Sequence, residues 1–379
     1  MVDWMEVAVF PNLSVMEPIE SRFMVLTSRE DERVAAIERA HPNFRRFLEG
    51  FSDAFGVVQS PAVLLRNGDA PESLRTMDAL AGFRDLVSLS VVPFNRSLEF
   101  LYPRGFRITW SDAFWIYPWM IDKNDQYMIS TTPAQTALHI PEEFHGQSKP
   151  ELPQMSLREH EVDVPLLKAL TKRWQRRYLA KRPSWQDRAL FRSLNMANQA
   201  AALPAGVDAT LYDFGRLAAL WVSAFEILAR PRATQANIHV VCSLIERVNW
   251  KHDELTKRRY KISKSRKKAG PRHPLASWLY GKLYQARNDF IHGNPITSKN
   301  ITIKKSGLPI MRFAAPLYRI ALTGFLELRW TKSMPSLSEP DKFGKYIADK
   351  TTFVALPVEC RTSSIACGHG PSFGTIGLV

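Results

Sequence analysis

The sequence predicts an α+β chain in which a mixed α+β N-terminal part precedes an all-α, four-helix bundle. Three observations carry this. Short apolar runs broken by proline and glycine fill residues 1 to about 150. From Val162 onward, apolar residues recur every three or four positions, the period of an amphipathic helix. Four such segments then follow one another through mostly short connections, the arrangement of a helical bundle. Four regions result: a mixed domain over 1–150, a basic helical connector over 151–204, the bundle over 205–332, and a loosely ordered tail over 333–379 rich in Ser, Pro and Gly.

In the first region, Ser28-Arg29-Glu30-Asp31 has the pattern of a helix start, a hydroxyl followed three residues later by an acid. The helix is expected to run through Val34, Ile37 and Ala40 and to stop near Pro42. Leu86 to Val92 has strand composition, with Pro93 as its end. Phe106 to Trp119 is aromatic and β-branched and suggests one or two more strands. Trp110, Phe114, Trp115, Tyr117 and Trp119 suit packing better than base stacking, because no basic residue interleaves from Trp110 to Met120.

In the connector, Leu166, Leu167, Leu170, Trp174 and Tyr178 form one helical stripe. Lys168, Lys172, Arg173, Arg176, Arg177, Lys181 and Arg182 lie between and just beyond them, undiluted by any acid, and Pro183 ends the run. Residues 185–202 predict another helix, with Leu190, Leu194 and Ala197 on one side.

The bundle is expected to comprise helices over 211–229, 236–250, 274–292 and 311–330. Between the second and third, Lys257, Arg258, Arg259, Lys261, Lys264, Arg266, Lys267 and Lys268 place eight basic residues within twelve. Residues 300–310 suit a small hairpin or loop.

The chain of 379 residues carries a net charge of +14, which favours polyanionic partners, nucleic acid foremost. Three cysteines give no disulfide framework, and Cys360, Cys367 and His369 match no zinc module, so neither metal nor cofactor is expected. The N-terminus lacks a basic segment followed by an apolar run, unlike a secretory signal. The longest apolar stretch, Leu211 to Leu228, is interrupted by Asp213, Arg216 and Glu226, where a span needs about 20 mostly apolar residues. A cytoplasmic protein without membrane contact is expected.

Chemistry concentrates on the third bundle helix. Leu275, Leu279, Leu283, Ala286 and Phe290 form its apolar stripe, with Arg287 and His292 beside it. Five residues turn an ideal helix by about 500°, which sets the two roughly 140° apart. His292 precedes Gly293, where the chain is expected to swing that side chain back. Histidine can take or give a proton near neutral pH, and arginine can clamp a phosphate. Together they suit RNA cleavage through the ribose 2′-hydroxyl, a second copy of the chain supplying the second acid/base.

The stretch Arg287-Asn288-Asp289-Phe290-Ile291-His292-Gly293, following an apolar helix that contains Ala224-Phe225-Glu226-Ile227-Leu228, resembles the HEPN superfamily, particularly its Apea-like branch, over about residues 205–330. Arg287, Asn288 and His292 match the ribonuclease signature of that family, and Glu226 is similar to its frequent acid on the first long helix. The resemblance implies a four-helix bundle, a homodimer, and a metal-independent endoribonuclease that acts as a toxin or effector in bacterial antiphage defence. Asn288 would orient the phosphate or the imidazole, and Glu226 would hold Arg287 or His292. Lys172, Arg173, Arg176 and Arg177, with the eight basic residues of 257–268, would hold the RNA backbone. The alternative is a non-catalytic RNA-binding or protein-interaction module of the same kind. No residue assigns a role to 1–150, for which sensing or targeting follows from division of labour alone.

Overall fold

The computed structural model describes residues 4–53, 55–101, 109–118, 146–147, 154–202, 210–230, 237–248, 259–262, 271–303, 307–329 and 342. The expectations for the tail over 333–379, and for Trp119, Cys360, Cys367 and His369, lie almost entirely outside these. The chain is mixed α+β and divides into two compact units that do not follow chain order. One comprises residues 1–88, 110–163 and 171–181; the other comprises 89–109, 164–170 and 182–379. The connector expected over 151–204 thus contributes to both.

In the first unit, β1 (Trp4–Phe10), β3 (Ile19–Glu20), β4 (Met24–Thr27), β6 (Ala62–Asn67) and β7 (Tyr117–Pro118) form an antiparallel sheet ordered β3-β4-β6-β1-β7. Two parallel pairs accompany it: β2 (Leu13–Val15) with β9 (Met155–Leu157), and β5 (Phe51–Ser52) with β8 (Gly146–Gln147). Val9, Val25, Val63 and Leu65 share a core cluster with Val34 and Ile37 of α1 (Glu32–Ala40) and with Phe44, Phe47 and Leu48 of α2 (Pro42–Glu49). The alternate residues Ala8, Phe10, Met24, Leu26 and Leu64 are buried as well, so the central strands are apolar on both faces.

The cap of α1 is Asp31, whose side chain accepts from the Arg33 amide, and not Ser28. Pro42 ends α1 as expected and also opens α2, where a missing N–H costs nothing. Phe114 is buried and Tyr117 packs edge-on against Phe51 and at a tilt to Phe47, so these rings serve packing.

The strand expected over Leu86 to Val92 is instead part of a helix, α3 (Met77–Leu101), with Pro93 inside it. Every residue from Leu86 to Val92 is buried. A helix covered on all sides shows no amphipathic period, and its apolar run is indistinguishable from a strand by composition. Pro93 forfeits one helical bond, yet polar side chains engage neighbouring carbonyls: Asn95 Nδ2 donates to Val91 O (3.0 Å) and Ser97 Oγ donates to Pro93 O (2.8 Å). In the first unit, Trp174 Nε1 and Tyr178 Oη of α4 (Val164–Leu179) donate to the Ala79 and Asp78 carbonyls of α3.

The second unit contains the four expected bundle helices: α6 (Leu211–Ala229), α7 (Ile238–Glu246), α8 (Leu275–Ile291) and α10 (Met311–Phe325). The small hairpin expected over 300–310 follows the one-turn α9 (Ser298–Ile301), closed by a bridge between Thr302 and Pro309. A fifth helix, α5 (Trp185–Ala200), lies at the end of the region read as the connector and packs against α6, which follows it. It is fastened by a buried hydroxyl. Ser193 Oγ donates to Ala224 O (2.7 Å) and shares a 2.5 Å hydrogen bond with Tyr318 Oη. The interior is aromatic, with Trp221, Phe225, Tyr280 and Tyr318 meeting at centroid distances of 5.0–5.6 Å. No helix among the described residues is long and apolar enough to cross a membrane.

Candidate active site

Helix α8 carries Arg287 and Asn288, and His292 follows its last residue. Leu275, Leu279, Leu283 and Ala286 are buried, and the half-buried Phe290 lies over Gly215 of α6. A β-carbon at 215 would meet Phe290 Cδ2 at 2.2 Å, so glycine there permits the two helices to approach. The helix ends in a Schellman motif: Gly293 N–H reaches Phe290 O (3.2 Å), Asn294 N–H reaches Asp289 O (2.8 Å), and Gly293 takes φ +69°.

That ending overturns the expected swing of His292. Its own amide donates to Asn288 O (3.0 Å) at φ −87° and ψ 9°, so the residue stays on the helical spiral. Arg287 and His292 therefore keep their separation of about 140°. His292 is exposed, and among the described residues no hydrogen bond or ion pair joins it to Arg287 or Glu226.

Arg287, Asn288 and Glu226 do come together. Arg287 Nη1 donates to Asn288 Oδ1 (2.9 Å), and Nη2 lies 3.8 Å from Glu226 Oε2, the long end of an ion pair. The guanidinium also sits 5.6 Å from the centroid of the Tyr284 ring. Its Nε is buried and has no hydrogen-bond partner among the described residues. A buried donor left unmet costs free energy, and the Nε atoms of Arg173, Arg177 and Arg230 are in the same state.

Burial pushes the Glu226 carboxyl above its ordinary range, and the charges of Arg287 and Arg230 pull it back. Beside it, Tyr280 is fully buried with a hydroxyl that has no hydrogen-bond partner among the described residues, and burial raises that phenol well above its usual value. Sequence reasoning missed Arg230, Tyr280 and Tyr284. The four-residue step from Glu226 to Arg230, and the spacing of 280, 284 and 287 along one helix, were the available signals.

The other candidate residues fall elsewhere. Lys172, Arg173, Arg176 and Arg177 are in the first unit on α4, with Lys172 and Arg176 exposed. Arg177 Nη2 lies 3.3 Å from Asp78, an acid that the local sequence did not reveal. Arg259 and Lys261 are exposed beside and on a short ribbon of β10 (Tyr260–Lys261) with β11 (Arg272–His273). Lys257, Arg258, Lys264, Arg266, Lys267 and Lys268 lie outside the described residues. Cys242 is buried, which pushes its thiol up to about 12. Among the described residues no group of three or more His, Cys, Asp or Glu side chains is placed to hold a metal ion.

No family model, curated protein or solved structure matches the chain.

Proposed function

We propose that this chain is an endoribonuclease that needs no metal and works as a pair of copies, as its resemblance to Apea-like HEPN domains implies. The observation that carries the proposal is the setting of Arg287. Its guanidinium is held beside Asn288 and Glu226 with one buried donor unmet, on the helix that ends in an exposed imidazole.

In the reaction, the ribose 2′-oxygen attacks phosphorus and the bond to the 5′-oxygen breaks. The products are a 2′,3′-cyclic phosphate and a 5′-hydroxyl. Arg287 stabilises charge on the phosphorane and Asn288 steadies the guanidinium. His292 transfers the proton. One chain offers a single such imidazole, so His292 from one copy accepts the 2′-proton while the partner's His292 protonates the leaving oxygen. DNA, without the 2′-hydroxyl, would not be cut. The biological setting that accords with the resemblance is a toxin or effector in bacterial antiphage defence.

The turn of about 140° between Arg287 and His292, and the carboxylate already near Arg287, favour a second reading in which the bundle binds RNA without cleaving it. Incubating wild type and the Arg287→Ala/His292→Ala double variant with total RNA in excess EDTA separates the two. Cleavage by wild type that leaves cyclic phosphate ends, and falls at least about 100-fold in the variant, is the expected result. Equal cleavage by both, or none by either, removes the nuclease.

A further inference from the structure

The first unit holds a charge that its own residues leave unanswered. Along β6, Val63 and Leu65 face the core shared with α1 and α2, and the alternation of the strand turns Ala62, Leu64 and Arg66 to the other side of the sheet. Arg66 is only 8% exposed, although an arginine is seldom buried without a partner of opposite charge. Among the described residues no carboxylate bonds to it. Its Nη2 donates to Met5 Sδ (3.5 Å), a weak acceptor, and its Nη1 is buried with no hydrogen-bond partner. Arg173, Arg177, Arg230 and Arg287 also bury an unmet nitrogen, but those four are half-buried, and Arg66 is the buried member of the set.

The surroundings define what is missing. Met5 of β1 and Met24 of β4 stand opposite Arg66 in register, so a thioether flanks it on either side of the same face. Burial pulls the guanidinium below its usual value, the charge of Arg75 adds to this, and the charge of Glu72 works against both. Glu72 is already paired with Arg75 at 3.1 Å, on the 3₁₀ turn that follows β6. Two guanidiniums against one carboxylate leave a surplus of one positive charge. Met5, the side chain in contact with Arg66, is 42% exposed and unbranched, so an arriving molecule can turn it aside without moving the sheet.

We infer that Arg66 anchors a binding site in the first unit for a small carboxylic acid with an apolar body. The carboxylate accepts from Nη1 and from the Nη2 that Met5 releases, the two-pronged geometry that a planar guanidinium offers. One negative charge cancels the surplus, whereas a phosphate dianion would overshoot it. The thioethers of Met5 and Met24 adapt to the apolar part of the ligand. Occupancy pairs a charge that otherwise lies buried alone, so ligand binding and the stability of the sheet are linked. This site gives the first unit a molecule to sense, and it stands or falls independently of the nuclease reading.

The test follows urea midpoints of the full chain in sodium benzoate, acetate, orthophosphate or chloride, at neutral pH and constant ionic strength. Benzoate is expected to raise the midpoint in a saturable way that chloride does not match, and acetate to do so more weakly for want of an apolar body. Arg66→Met, which fills the position with an apolar chain, should raise the apparent Kd for benzoate at least about tenfold. Arg66→Lys keeps the charge and loses the fork, so it should fold and still bind benzoate more weakly than wild type, which keeps the test decisive if Arg66→Met fails to fold. A benzoate response no larger than that of chloride overturns the site. So does an undiminished response in either folded variant, or a response to orthophosphate with none to the two carboxylates.

Discussion

Glu226 is half-buried beside two guanidiniums, and burial outweighs their pull on its carboxyl. The sign of the consequence follows from proton linkage. A carboxyl that binds its proton more tightly when folded than its ordinary value of 4.5 contributes stability that is complete below that value and lost as pH rises through the folded one. Glu226→Gln stays neutral throughout. Urea midpoints of wild type should therefore fall relative to those of the glutamine variant as pH climbs from 4.5 toward neutral, and parallel midpoints would contradict the effect. At this scale the sequence singled out Arg287 and Asn288, which the structure joins by a hydrogen bond. It was silent where folding supplies the neighbour. Nothing local announces that Tyr280 stands near Glu226, or that Asp78 meets Arg177 across ninety-nine positions.

Among the elements, the contact between α6 and α8 depends on Gly215 lying beneath Phe290. Gly215→Ala would place a β-carbon 2.2 Å from that ring. Such overpacking costs about 1–3 kcal/mol. Chemical denaturation should register the loss, and on the nuclease reading cleavage should fall with it, because Phe290 lies two residues from His292. Unchanged stability would mean the ring turns aside at little cost. Amphipathic helices were legible because one face is wet, as the stripes of α4 and α8 illustrate. The element misread was α3, where burial all round erased the period and Pro93 gave a false stop. The swing expected of His292 failed for a related reason, since a glycine stop can pin the residue before it as firmly as release it.

For the whole molecule, the nuclease reading requires an imidazole from each of two copies. Mixing wild type with His292→Ala in equal amounts and allowing exchange gives about one quarter wild-type pairs. Activity per total chain should drop to roughly that quarter, whereas chains working alone would retain one half. The net charge of +14 was plain in the composition and pointed to polyanions, but charge does not say which surface meets them. The basic residues of α4 and those of the ribbon belong to different compact units, a division invisible to a reading that follows chain order.

Helix α8 is one unbroken rod of 17 residues, bearing Trp278 near its start and Arg287 near its end, with His292 as the residue that follows it. Inserting or deleting a single amino acid between Trp278 and Arg287 would rotate one end against the other by about 100°. On the nuclease reading, a frame-preserving codon gain or loss here is expected to abolish RNA cleavage, which a single-residue insertion after Lys282 would check.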